Sequence, residues 1–115
     1  MKLKESIYLF ASNIVWRTTG VRPAGRILIN TLSSQDQDLK TIAGMFLVQS
    51  GSKAEPLLQE ALDKRQSLPM IMTILADIGE PEFEPVLHRY SQDDDPEVAQ
   101  AARDALAVLA RKHGS

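Results

Sequence analysis

A pattern that returns about every thirty residues restricts the fold of this chain more than any other feature it has. Residues 39–51 align with residues 67–79, placing Phe46 and Leu47 on Ile74 and Leu75, and Gly51 on Gly79, 79 − 51 = 28 positions later. An offset of 31 carries Ile74, Leu75 and Ile78 onto Ala105, Leu106 and Leu109. The same offset, taken backwards, relates Phe46, Leu47 and Gly51 to Val15, Trp16 and Gly20. The intervening halves repeat too. Glu55-Pro56-Leu57-Leu58 falls on Glu84-Pro85-Val86-Leu87 at an offset of 29, and Ile27, Leu28 and Leu32 fall on Leu57, Leu58 and Leu62 at 30. One such unit cannot bury its own apolar face, so a chain of this kind gains a core by stacking units.

Each half-unit has helical periodicity. Leu39, Ile42, Ala43, Phe46 and Leu47 follow i, i+3, i+4, i+7, i+8, and so do Leu68, Ile71, Met72 and Leu75. Val98, Ala101, Ala102, Ala105, Leu106 and Leu109 repeat the spacing. No stretch alternates strictly with β-branched enrichment, so no strand is expected. Helix-start signals fall between these runs. Asp95-Pro96-Glu97 offers an N-cap acid, a proline suited to the first turn and a second acid at the positive dipole end. Ser52 and Glu55 have capping-box spacing, and Glu80-Pro81-Glu82 is a weaker start. Gly20, Gly51 and Gly79 close successive first helices, where a left-handed residue costs glycine least. The pattern predicts seven helices, near 3–17, 22–34, 37–50, 53–65, 67–78, 82–92 and 96–112.

These residues resemble HEAT repeats, in particular the short bacterial kind also found in phycobilisome lyase-like proteins. Asp95-Pro96-Glu97-Val98 with Ala101, Ala102, Ala105 and Leu106 carries the likeness best. Gly51 with Pro56-Leu57-Leu58, and Gly79 with Pro85-Val86-Leu87, follow. The resemblance covers residues 36–112, while 1–34 form a divergent first unit. It implies an all-α fold: a right-handed α-α superhelix, or α-solenoid, of about seven antiparallel helices in three and a half repeats. The expected organisation is one HEAT-like domain over 1–115, with units at 1–34, 36–66 and 67–94 and a half-unit at 95–112. Tetratricopeptide repeats fit less well, because their Trp/Gly/Tyr first-helix signature is missing.

Composition removes several function classes. The 115 residues contain no cysteine, which excludes disulfides, thiolate metal sites and cysteine nucleophiles. The formal net charge of −2 gives no bulk attraction to nucleic acid or anionic lipid. No apolar run is long enough for a membrane span. The N-terminal Met1-Lys2-Leu3-Lys4 loosely imitates a signal peptide, but Glu5 interrupts the basic region and no small-residue cleavage site follows. A cytoplasmic location is expected. His88 and His113 have no partners at metal-ligand spacing, and Asp93-Asp94-Asp95 leads directly into Pro96, so these acids suit helix capping better than cation binding. No nucleophile elbow or phosphate loop is present. Neither an enzymatic activity nor a cofactor is expected.

The first expectation is a protein- or peptide-binding scaffold. Second helices lining the concave side would present Ile29, Gln59 and His88 in one column and Asn30, Glu60 and Arg89 in the next. The alternative is phosphate-backbone binding through Arg17, Arg22 and Arg26 around the first interhelical turn. A lyase-like or enzyme-accessory role comes third. The ends of the stack also draw attention. Residues 7–16 are apolar nearly all round, and a stack ending in mid-unit would leave Ala101, Ala105 and Val108 partly uncovered. Self-association through a terminal helix, using Phe10 and Trp16 or Ala101, Ala105 and Val108, is the corresponding expectation.

Overall fold

A computed structural model of the chain describes residues 3–113. Among them every regular element is helical and there is no strand. Seven α-helices occur: α1 (Leu3–Thr19), α2 (Arg22–Thr31), α3 (Gln37–Ser50), α4 (Glu55–Asp63), α5 (Leu68–Ile78), α6 (Glu84–Tyr90) and α7 (Pro96–Lys112). Two short 3-10 turns, Gly51–Ala54 and Pro81–Phe83, lead into α4 and α6. The chain divides into two compact units, with the boundary between Gln66 and Ser67.

In the first unit α2 packs against α1, α3 and α4, and α1 also packs against α3. Its core contains Leu9, Trp16, Leu28, Leu39, Leu47, Leu57 and Leu58, all buried. In the second unit α7 packs against α5 and α6. There Ile71, Met72, Leu75 and Leu87 are buried, as are Val98, Ala102 and Leu109 of α7. The small side chains of α7 let its backbone lie close to its neighbours, as its alanine-rich sequence implies.

Within each unit, alternate helices run in the same direction. The C-terminal ends of α1 and α3 lie together: the Trp16 indole N–H donates to Ser50 Oγ at 3.3 Å, and Lys53 Nζ donates to the Arg17 carbonyl at 2.6 Å. Phe10 meets Phe46 edge to face at 5.0 Å between ring centres. For α2 and α4 the links are Arg26 to Glu60 and Gln66 to Asn30. For α5 and α7 they are Lys112 Nζ to the Asp77 carbonyl at 2.6 Å and the His113 ring N–H to the Gly79 carbonyl. These hydrogen bonds join residues 34 to 36 positions apart. The basic end of α7 thus satisfies carbonyls exposed at the end of α5, where the helix dipole favours positive charge. His113 is held by this contact.

Helix termini follow local chemistry. Asp95 caps α7 by accepting from the Glu97 N–H at 2.9 Å. Asp36, which the sequence reading did not single out, caps α3 by accepting from the Asp38 and Leu39 N–H groups. The capping box at Ser52 and Glu55 does not form. Residues 51–54 turn as a 3-10 segment, and α4 starts at Glu55 behind Ala54 with no side-chain cap. Gly79 is left-handed, with φ 81° and ψ 18°, but Gly51 has φ 58° and ψ −139°, a region open to glycine and outside the left-handed helical well.

Gly25 has a different use. It lies inside α2, buried, and a Cβ there would come within 2.5 Å of Leu57 Cδ1 and 2.9 Å of Trp16 Cε3. The missing side chain lets α2 approach α4 and the Trp16 ring. Gly25→Ala improves helix propensity by ~1 kcal/mol, but overpacking a filled core costs about 1–3 kcal/mol. A net destabilisation of about 1 kcal/mol is expected, read as a lower urea midpoint at unchanged slope.

Candidate protein-binding surface

The face of α1 is set by which of its residues point inward. Leu9, Ser12, Asn13 and Trp16 are the buried positions, a spacing of i, i+3, i+4, i+7. At 3.6 residues per turn the opposite side then carries a stripe of Leu3, Ile7, Phe10 and Ile14, with Tyr8 and Val15 together on one flank, beyond Lys4, Ala11 and Thr18. All six are exposed, from 44% for Val15 to 76% for Leu3. The helix therefore turns two polar side chains inward beside Leu9 and Trp16 and leaves Leu3, Ile7 and Ile14 outward. Ser12 Oγ donates to the Tyr8 carbonyl at 2.8 Å, which satisfies it within the helix. Asn13 Oδ1 is buried with no hydrogen-bond partner. On the Tyr8 side, a trough of about 410 Å³ runs past Glu5, Ile27, Thr31 and Leu39.

Trp16 departs from its expected role. It is only 3% exposed and belongs to the core, so it takes no part in an outer surface. Phe10 remains exposed, resting by one edge on Phe46. At the other end, Ala105 is 3% exposed while Ala101 and Val108 are half-buried. Of the face expected to be partly uncovered on α7, Ala105 joins Ala102 and Leu109 in the inner stripe, while Ala101 and Val108 stay partly uncovered at its edge.

The two columns of second-helix residues also need correction. Ile29 is 4% exposed and part of the core, since α2 buries Leu28 and Ile29 side by side. Asn30, Gln59, His88 and Arg89 are exposed and Glu60 is half-buried. Most of them already have partners within the chain. Asn30 Oδ1 accepts from Gln66 Nε2 at 3.4 Å, and Gln59 Nε2 donates to Asp63 at 2.9 Å. His88 Nε2 lies 3.6 Å from Glu84 Oε1, and Arg89 sits 5.5 Å over the Tyr90 ring.

Glu60 gathers the basic residues of its neighbourhood. Arg26 grips it with both ends of its guanidinium, Nε to Oε1 at 2.7 Å and Nη2 to Oε2 at 3.3 Å. Lys64 Nζ donates to Oε1 at 3.1 Å, and Arg22 Nη1 stands 4.0 Å from Oε2. The hydrogen bonds from Arg26 and then Lys64 lower the Glu60 carboxyl from 4.5 to about 2, and Glu60 raises Arg26 in return. Of the three arginines considered for phosphate binding, Arg26 is held by this carboxylate and Arg22 borders it. Arg17 is exposed at the end of α1, with its carbonyl held by Lys53.

Asp93 and Asp95 act locally: Asp93 Oδ2 accepts from the Asp95 N–H at 3.0 Å, and Asp95 caps α7. Among the described residues no cluster of three or more His, Asp or Glu could hold a metal ion, and no helix is long and apolar enough to cross a membrane. The outward face of α1 is what the sequence located only in outline, as an all-round apolar helix. Which side was free depended on where Trp16 docks.

Comparison with protein-family models, with curated proteins and with solved structures found no match to this chain.

Because the Glu60 carboxyl titrates lower folded than unfolded, its contribution is present above about pH 4.5 and disappears as pH falls toward 2. The parent protein should therefore lose thermal stability more steeply than Glu60→Gln across that window. The difference should shrink in high salt, because the network is largely exposed. Melting curves of both proteins between pH 6 and about pH 2 measure this.

Proposed function

We propose that this chain is a non-catalytic binding scaffold of the HEAT-like kind, whose helical hairpins stack as an α-solenoid and offer a helix face to another polypeptide. One observation carries the reading: the outer side of α1 bears an exposed apolar stripe from Leu3 to Ile14. Scaled by the ordinary surface of each residue type, its contiguous stripe of Leu3, Ile7, Phe10 and Ile14 exposes on the order of 450 Å², within the ~300–600 Å² of the largest apolar patch on a typical monomer. A patch of that size is often functional.

The stacking part of the proposal draws on the same-direction pairing of alternate helices. Links 34 to 36 residues apart recur in both units, as expected where one hairpin packs on the next. The recurrence of Pro56-Leu57-Leu58 at Pro85-Val86-Leu87 agrees with that register. Phosphate binding is less well supported, since Arg26 already has a bidentate carboxylate partner. A small-ligand accessory role is weakened by the lining of the trough beside α1. There Thr31 Oγ1 donates to the Ile27 carbonyl and Ser34 Oγ accepts from the Asp36 N–H.

Affinity capture tests the proposal. Immobilised parent protein and the double variant Ile7→Glu/Ile14→Glu are compared in capture from native lysate, with bound proteins identified by mass spectrometry. Both positions are exposed, so the variant should keep its helicity and melting midpoint. Loss of a defined set of captured proteins is the expected result. Identical capture by both proteins would rule out α1 as the binding face.

A further inference from the structure

The exposed side of α1 has a symmetry that selects its occupant. Leu3, Ile7, Phe10 and Ile14 are spaced 4, 3 and 4 residues apart, so the stripe is the same read in either direction. Spacings of this kind form the seam of two paired helices. A two-fold interface needs one surface to complement itself, with residue i meeting j and j meeting i. An antiparallel pair of α1 helices, crossing midway between Tyr8 and Leu9, satisfies that condition. Leu3 of each copy meets Ile14 of the other, and Ile7 meets Phe10.

We infer that the outer face of α1 binds a second copy of this chain, α1 against α1 and antiparallel. The inference rests on the reading of α1 as a binding face and names its partner. Area sets its strength: the four seam residues expose on the order of 450 Å² on each copy, about half the ~800 Å² per partner of a standard-sized interface, as befits a weak dimer. Charge favours the antiparallel sense. A parallel pair would set Lys4 beside Lys4 and Arg17 beside Arg17, whereas the antiparallel pair separates them and opposes the helix dipoles. Phe10 is pre-positioned, because its edge contact with Phe46 fixes the ring before a partner arrives. The seam needs no rearrangement of the protomer, since its four side chains are already outward.

Sedimentation equilibrium of the full chain at micromolar concentrations should show a monomer–dimer equilibrium. Ile7→Asp and Ile14→Asp should each raise the dissociation constant by ~10-fold or more, the loss expected when a charge enters an apolar seam. Their circular dichroism should be unchanged. Direction is read independently with single cysteines, which the native chain lacks. In an equimolar mixture of Leu3→Cys and Ile14→Cys under mild oxidation, the mixed disulfide should dominate over either homodimer. Dominant homodisulfides would overturn the antiparallel arrangement. A monomer at all concentrations, or a dimer indifferent to both aspartates, would overturn self-pairing through α1. If that monomer still captures other proteins through Ile7 and Ile14, the scaffold reading stands and the self-pairing falls. If it instead co-sediments with vesicles of phosphatidylcholine and phosphatidylserine, the face belongs to a lipid surface and the self-pairing is again overturned.

Discussion

Trp16 lies where three helices of the first unit converge. Its ring packs over Gly25 of α2, and its indole N–H reaches Ser50 at the end of α3. A buried aromatic of this size removes ~150–250 Å² from water, about 4–6 kcal/mol at 25 cal/mol per Å². No other residue of α1 offers as much. Once Trp16 is docked, helical geometry determines the rest of α1. Leu9, seven residues or almost two full turns earlier, must also face inward, and Ser12 and Asn13 go with them. Ile7 and Ile14 are then outward by necessity.

That necessity explains an otherwise odd polarity. A helix that buries Asn13 Oδ1 without a partner while exposing two isoleucines opposes the usual sorting of polar and apolar groups. Rotating α1 by half a turn would cover Ile7 and Ile14, but would withdraw Trp16 from the gap that Gly25 leaves open. Gly25 has no other evident reason to sit inside a helix, where it costs ~1 kcal/mol relative to alanine. The notch and the ring together outweigh the orphaned amide, whose penalty is of order 1–3 kcal/mol.

The helices were legible in the sequence because they depend on local signals. The 3.6-residue period, Asp95-Pro96 and the three glycines locate helical segments without knowledge of their neighbours. Ends were less legible where local and tertiary demands differ. Ser52 and Glu55 have the right spacing for a capping box, yet the turn after Gly51 tightens to 3-10 geometry and α4 begins behind Ala54. Facing was the hardest part. Ile27, Leu28 and Ile29 are consecutive aliphatics, and only packing against two sides of α2 shows that Leu28 and Ile29 are the buried pair. Likewise an alanine-rich α7 has several plausible inner stripes, and the one containing Ala105 is chosen by α5 and α6.

The charged surface of the first unit shows how a residue's apparent availability depends on its neighbours. Arg22, Arg26, Glu60 and Lys64 are dispersed in sequence and look like free recognition groups. Folding brings three cations around one carboxylate, and the carboxylate aligns Arg26 through two bonds. A ligand approaching this cluster would first have to displace or share Glu60. Along the outer stripe of α1 the exposed side chains of Leu3, Ile7, Phe10 and Ile14 are hydrocarbon and aromatic. The water released from them favours association. The difference between the two surfaces lies in what each must give up on binding, and it points to α1.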